Sequence, residues 1–346
     1  AEVLFDDRWI GAHGIGRFAR EITARLPAMR RLGITHNCLS VLDPFRLRRV
    51  LRRRQPDVYF SPGFNPPWRS PVPVVFCVHD LIHIDDPRES SALKRAYYRS
   101  IVRPAGRRAH RVITVSEYSR QRILEWSGWP EQRVTVAPNG VDASFSPDGP
   151  RHEPGYEYLL YVGAHRPHKN ILRLLEAFAR SGLAGQVKLE MTGTLTSEEH
   201  ERTEHLGLQD AVVALGHVRN TQLVQHYRGA LGLVCPSLYE GFGLPALEAM
   251  ACGTAVIGAN TTALPEVIGE AGLLVDPYDT EEIAEAIGRL VAEPALRQRL
   301  EAAGRQRAAG FTWRRTADVI ETALAEAAGV DPERLGLRVA PENCSG

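Results

Sequence analysis

Along almost the whole chain, short apolar runs alternate with amphipathic segments of helical length. That alternation predicts parallel βα units, because a strand covered on both faces by helices reads as a continuous apolar run. In the first half, strands are predicted at residues 3–5, 57–60, 72–78, 111–115 and 134–137. In the second they are predicted at 158–162, 188–191, 212–215, 231–235, 255–258 and 272–275. Helices fall between them. Ile171, Leu174, Leu175 and Phe178 keep helical spacing behind Asn170, a residue suited to an N-cap, and Asp279 with Glu282 marks another helix start.

Residues 145–155 (Phe-Ser-Pro-Asp-Gly-Pro-Arg-His-Glu-Pro-Gly) interrupt this pattern with Pro, Gly and charge, and are read as the linker. The expected fold is therefore α/β: an N-terminal Rossmann-like domain over 1–148 and a C-terminal one over 149–312. The two would face each other across a cleft, with ligands at the carboxyl ends of the strands. Residues 330–346 show no periodicity and are expected to form a loose tail. A length of 346 residues, 44% of them hydrophobic, is enough for two such cores.

No apolar run approaches the ~18 residues of a spanning helix, and the first residues lack the basic and apolar regions of a signal peptide. A cytoplasmic location is expected. The five cysteines (Cys38, Cys77, Cys235, Cys252, Cys344) are odd in number and lack C-x-x-C spacing. They read as buried small hydrophobes, with no metal site or disulfide framework.

Charge separates the halves. Residues 1–150 carry 24 Lys and Arg against 15 Asp and Glu, whereas the remainder carries 18 against 26. The basic excess gathers in residues 46–54 (Arg-Leu-Arg-Arg-Val-Leu-Arg-Arg-Arg) and between Lys94 and Arg111, both compatible with helices. Such surfaces suit an anionic membrane, here the inner face, or a charged acceptor, and suit solvated arginine faces equally well. Nucleic acid is not expected as a partner, because no aromatic interleaving or nucleic-acid module accompanies the arginines.

The segment richest in chemistry is Ser237-Leu-Tyr-Glu240-Gly241-Phe242-Gly243-Leu244-Pro245-Ala-Leu-Glu248-Ala-Met-Ala-Cys-Gly253, directly after a predicted strand. Pro245 suits the first turn of a helix and Gly253 its stop. The turn from Gly241 to Leu244 would then present backbone N–H groups and the positive helix end to an anion, above all a phosphate. Glu248 would lie near that end and Glu240 on its near side, each a possible acceptor for polyol hydroxyls.

This segment resembles the E-x7-E signature of the family 4 glycosyltransferases, retaining enzymes of the GT-B fold. Other segments carry the same resemblance in order, from Phe5 to about Ala327. Gly11-Ala-His-Gly14-Ile-Gly16-Arg17-Phe lacks the dinucleotide-binding glycine spacing, and is similar to a Gly-Ile-Gly-Arg-aromatic loop of mannosyltransferase-like members. Val78-His79-Asp80 ends a predicted strand and resembles the family's His-Asp pair. Tyr161-Val-Gly163-Ala-His-Arg166-Pro-His-Lys169-Asn170 resembles the turn that holds the pyrophosphate. There Lys169 matches the family lysine, while Ala164 and His168 stand where an arginine is usual, so that Arg166 is left to substitute. Segments 115–119, 136–142 and 263–267 match as well.

The resemblance implies a metal-independent hexosyltransferase, and no D-x-D triplet is present, since Asp6-Asp7 and Asp85-Asp86 lack that spacing. It implies His79, Asp80, Lys169 and Glu240 as catalytic residues. Donor contacts would come from Gly14, Gly16, Arg166, Lys169, Gly193, Val218, Glu240, Gly241, Phe242, Gly243, Leu244 and Glu248. It also implies that a last helix, 313–327, returns to the first domain. GDP-mannose is the first choice of nucleotide-sugar donor, with a dTDP-deoxysugar or UDP-hexose as alternatives, and the acceptor would be a saccharide, lipid-linked or small-molecule hydroxyl. The rival reading is a nucleotide-sugar-binding pseudo-enzyme, supported only by the atypical cation turn.

Overall fold

The computed structural model describes residues 1–11 and 14–337. The chain divides into two compact units, one formed by residues 1–140 with the segment that begins at Thr312, the other by residues 141–311. The first contains strands β1 (Val3–Phe5), β2 (Arg30–Arg31), β3 (Val58–Ser61), β4 (Val74–Cys77), β5 (Arg111–Thr114) and β6 (Val134–Val136). They form one parallel sheet in the order β2-β1-β3-β4-β5-β6. The second contains β7 (Tyr158–Tyr161), β8 (Lys188–Met191), β9 (Val212–Ala214), β10 (Gly232–Cys235), β11 (Ala255–Ala259) and β12 (Leu273–Val275). These are parallel in the order β12-β11-β10-β7-β8-β9.

Both orders reverse at one place, between β1 and β3 in the first sheet and between β7 and β10 in the second. Connections leave such a switch point in opposite directions, so the loops following its two strands diverge and open a crevice at their carboxyl ends. The apolar runs that announced the strands are buried on both faces: β3, β4, β7 and β10 are buried at every position. The helix Ile171–Arg180 places Leu174, Leu175 and Phe178 in the second core at 0% exposure.

Four details depart from the pattern-based expectation. Strand β2 was not anticipated, because two exposed arginines at a sheet edge carry no apolar signature. The Pro/Gly-rich stretch 145–155 is part of the second unit: Arg228 Nε donates to Ser146 O (2.7 Å) and His152 N to Gln225 O (3.0 Å). The chain crosses between units earlier, at Gly140. Asn170 does not cap its helix with its side chain; it sits in the left-handed region (φ 61°) while Nδ2 donates to Pro236 O (3.0 Å) and Pro277 O (2.7 Å).

The last departure concerns the C-terminus. The helix Trp313–Ala328 belongs to the first unit, packing on β3, β4, β5 and the helix Gly14–Arg25. The segment expected to be loose from residue 330 continues into a short helix, Pro332–Leu335, whose Leu335 is buried along with Leu337. Residues 338–346, with Cys344, lie outside the described residues. Among the described residues no helix is long and apolar enough to cross a membrane.

Candidate active site

In the second unit the loops after β7 and β10, the two strands of the switch point, bring Lys169 and Glu240 together. Lys169 Nζ donates to Glu240 Oε1 at 2.5 Å, and the side chains retain 14% and 11% exposure. The backbone fixes both loops. Leu238 N donates to His168 O (2.7 Å), tying the loops to each other, and Glu240 N donates to Thr262 Oγ1 (3.1 Å). Burial alone would push the Glu240 carboxyl upward, but the Lys169 ammonium and its hydrogen bond hold it below the ordinary value. The carboxylate is therefore charged and acceptor-only, as a group that binds hydroxyls must be.

Two of the four non-glycine residues with positive φ among the described residues flank this pair: Asn170 (61°) and Thr262 (58°). A β-branched residue in that region is strained, and such strain gathers where a loop is held for function. Asn170 stood out in the sequence only as an N-cap candidate, and Thr262 reads there as an ordinary loop residue. Cys235 Sγ lies 4.0 Å from Glu240 Oε1, and burial pushes its thiol up to about 11, leaving it protonated and unreactive.

Gly243 starts the helix Leu244–Ala251 at φ 103°, and a Cβ there would meet Leu264 Cδ2 at 2.6 Å, so the turn requires glycine. Gly241 and Leu244 are half-buried in that turn, whereas Phe242 is buried and edge-on to Phe311 at 5.9 Å. Glu248 is only 3% exposed, and its Oε2 accepts from Tyr227 OH at 3.0 Å. This tyrosine was missed because no motif links it to Glu248; only the helix Asn220–Gly229 brings it there.

Gly193 (φ 88°) exchanges two backbone hydrogen bonds with Gly216 (2.7 and 3.0 Å), forming a bridge beyond the ends of β8 and β9. Val218 is half-buried just after it. His165 packs on Gly193, with Nδ1 2.6 Å from Glu199 Oε2 and Nε2 2.8 Å from Thr192 O. Neither oxygen can donate while Glu199 is ionised, so the ring is an imidazolium; the Glu199 hydrogen bond raises its pKa against the opposing effect of burial. The loop thus holds a third cation, also missed, whose two donors are occupied by the protein. Arg166 is exposed at the start of the turn Pro167–Lys169.

In the first unit, Gly14 and Gly16 open the helix Gly14–Arg25, and a Cβ on Gly16 would lie 2.3 Å from Gly11 O. Backbone packs on backbone there, which no other residue allows. Phe18 of that helix meets the His79 ring edge-on at 4.9 Å. His79 Nε2 is 2.8 Å from Pro62 O; a carbonyl only accepts, so this nitrogen carries the proton. Asp80 Oδ1 accepts from Ile82 N at 3.0 Å. His79, Asp80, Gly14 and Gly16 are thus held by the first sheet, and the remaining candidates by the second.

Ligand chemistry suited to a metal occurs among the described residues at His152, Glu190 and His226. Their polar atoms are already paired with one another: Glu190, wholly buried, takes His152 Nε2 at 3.2 Å and His226 Nδ1 at 2.9 Å. The trio fastens residue 152 to the sheet.

Two doubly wound parallel sheets, one bearing an ionic turn at its switch point, have the architecture of the GT-B glycosyltransferases. The chain belongs to the family 4 glycosyltransferases. Residues 8–145 match the model described as Glycosyltransferase Family 4, and residues 144–307 that described as Glycosyl transferases group 1. The chain is 29% identical over 302 residues to the O-antigen chain mannosyltransferase B of Escherichia coli, covering 83% of this chain and 79% of that protein. It is 34% identical over 279 residues to the MMP alpha-(1->4)-mannosyltransferase of Mycolicibacterium hassiacum, covering 74% and 67%. Some longer mannosyltransferase relatives are matched over about a third of their own length. Among solved structures, Anabaena Alr3699/HepE in complex with UDP and glucose shares the fold, with TM-score 0.77 and 19% identity over 94% of this chain and 99% of that one.

Proposed function

We propose that the protein transfers a hexose, mannose first, from a nucleotide diphosphate sugar to a hydroxyl of a saccharide, glycolipid or natural-product acceptor, with retention and without a metal ion. The observation that carries this reading is the Lys169–Glu240 pair at the switch point. A diphosphate leaving group gains charge as its bond to sugar breaks, and a preoriented ammonium stabilises that charge most in the transition state. Glu240 takes one of the three N–H donors of Lys169 and so aims it. Arg166, exposed on the same turn, supplies the second cation.

In the proposed step the bond from anomeric carbon to phosphate oxygen breaks while the acceptor oxygen bonds to that carbon from the same face. The acceptor proton passes to the leaving phosphate oxygen. Glu240 accepts hydroxyls of the sugar, and Glu248, fixed by Tyr227, accepts those of the ribose. His79 and Asp80, on the first sheet, would attend the sugar and the acceptor hydroxyl.

Mannose is favoured by the names of the mannosyltransferase relatives. A UDP-hexose is the second reading, favoured by the UDP and glucose in the Anabaena structure. The test is thermal stabilisation by GDP-, UDP- and dTDP-sugars, with slow donor hydrolysis followed in chelator. Stabilisation by the GDP series and hydrolysis of GDP-mannose is expected. A strict requirement for added divalent ion would overturn the metal-free mechanism, and binding with no turnover on any acceptor would favour the pseudo-enzyme.

A further inference from the structure

Of the six large hydrophobic side chains exposed among the described residues, four fall within seven positions: Leu39 (62%), Val41 (55%), Leu42 (54%) and Phe45 (49%). Leu39, Val41 and Leu42 lead into the helix Asp43–Arg54, and Phe45 stands in its first turn. Single exposed apolar residues are ordinary, but a cluster marks a surface that meets something apolar.

The helix itself is anchored and aimed. Leu47 and Leu51 are fully buried, and Asp43, also buried, receives Arg8 through both guanidinium NH groups (2.6 and 3.1 Å). Its opposite side carries Arg46, Arg49, Arg52 and Arg53, all exposed, with Arg48 half-buried beside them. Among the described residues none of these five side chains pairs with a carboxylate, although the chain has 41 Asp and Glu. Phe45 closes a groove of about 370 Å³ whose other walls are Arg48, Arg49, Arg52 and Arg53. Trp68 packs against Phe45 at 5.8 Å, and Arg69 stacks over Trp68.

We infer that this face docks on the surface of an anionic lipid bilayer, with Leu39, Val41, Leu42 and Phe45 entering the acyl boundary and the arginine groove receiving lipid phosphates. The inference goes beyond the transfer reaction and does not depend on it. Lipid is the occupant because both halves of the surface are needed: planar guanidinium groups take phosphate oxygens in pairs, and aliphatic side chains enter hydrocarbon. A nucleic acid would satisfy the arginines and leave Leu39, Val41 and Leu42 in water. The second basic stretch is different. Around Lys94 to Arg111 it buries Tyr98, Val102 and Gly106 as part of the first core, and its one strongly exposed apolar side chain is Leu93 (66%).

The experiment is co-sedimentation of the full chain with vesicles of phosphatidylcholine alone or with 30% phosphatidylglycerol, at low and physiological salt, without donor. Binding to the anionic vesicles only, weakened by salt, is expected. The charge-reversing pair Arg49→Glu/Arg53→Glu should lower affinity at least tenfold, since each arginine near an anionic surface is worth about a fivefold factor. The apolar pair Leu42→Ser/Phe45→Ser should lower it comparably, while Leu93→Ser should leave it unchanged, with thermal unfolding confirming that each variant folds. No binding at low salt, equal loss with Leu93→Ser, or tighter capture of a DNA duplex than of the vesicles would each overturn the proposal.

Discussion

The two sheets reach the same architectural point, a reversal of strand order, and fill it differently. In the first, the loops after β1 and β3 close on themselves. Arg8 lies between Asp6 (2.7 Å) and Asp43 (2.6 Å), Tyr59 OH and Asn65 Nδ2 donate to Asp6 Oδ2, and Trp9 Nε1 donates to Asn65 Oδ1. Both carboxylates are at 0% exposure and the Arg8 side chain at 6%. Burial opposes the guanidinium charge, yet the two aspartates raise its pKa further above its already high value. In the second sheet a similar ion pair, Lys169–Glu240, stays partly open. Position in the fold is shared, so accessibility decides which charges brace the unit and which can meet a ligand.

The comparison can be broken most severely at the closed end. Arg8→Ala leaves two buried carboxylates without their counter-charge, and a loss of roughly 3–5 kcal/mol in urea-unfolding stability is expected. A stability within 1 kcal/mol of the parent would show that the network does not brace the first unit. Lys169→Ala attacks the open end. Turnover should fall about 100-fold, roughly 2.7 kcal/mol of transition-state stabilisation, with less than half the stability cost of Arg8→Ala. Unchanged kcat would remove Lys169 from the chemistry.

A smaller effect is expected at Tyr227, a positioning residue. Tyr227→Phe removes the hydrogen bond to Glu248 and should raise the donor KM about five- to tenfold while leaving kcat nearly intact. A fall in kcat with constant KM would contradict a role in ground-state binding. The smallest effect is in pH dependence. The pKa of Glu240 is lowered in the folded protein, so its contribution to stability is present above the ordinary value of 4.5 and lost as pH falls through the lowered one. In Lys169→Met the strongest lowering influence is gone, and the Ser237 hydrogen bond and His168 alone oppose burial, so the carboxyl moves up. The stability gap between parent and variant should therefore be widest near neutrality and narrow as pH falls; a gap independent of pH would mean that Lys169 does not hold Glu240 ionised.

The same contrast explains what could be read in the chain beforehand. The buried parallel strands announce themselves as apolar runs, and eleven of the twelve among the described residues were legible; β2 was not, since its hydrogen bonds are made by backbone beneath two exposed arginines. Lys169 and Glu240 were legible because each sits in a local pattern of Gly, Pro and charge that dictates its own turn. Tyr227, Thr262 and the His165–Glu199 pair were not, because each acts on a residue brought near only by the folded sheet. Asp6 was noticed solely for lacking metal-binding spacing. Its counter-charge is Arg8, which also holds Asp43, 35 positions further on, and no local rule joins the three.

The return of the helix Trp313–Ala328 to the first unit has a consequence for the order in which the protein comes into being on the ribosome. Trp313 is 1% exposed and packs so closely that a Cβ on Gly140 would collide with its backbone nitrogen, so the first core lacks a principal member until that helix has been made. The second unit is a single uninterrupted stretch of chain, its ends joined by the hydrogen bond from Val141 N to Phe311 O (3.1 Å). Domains fold as units while synthesis proceeds. The half of the molecule that begins the chain is therefore the half completed last, and the nascent first sheet waits, its face for that helix uncovered, while the whole second unit emerges and folds.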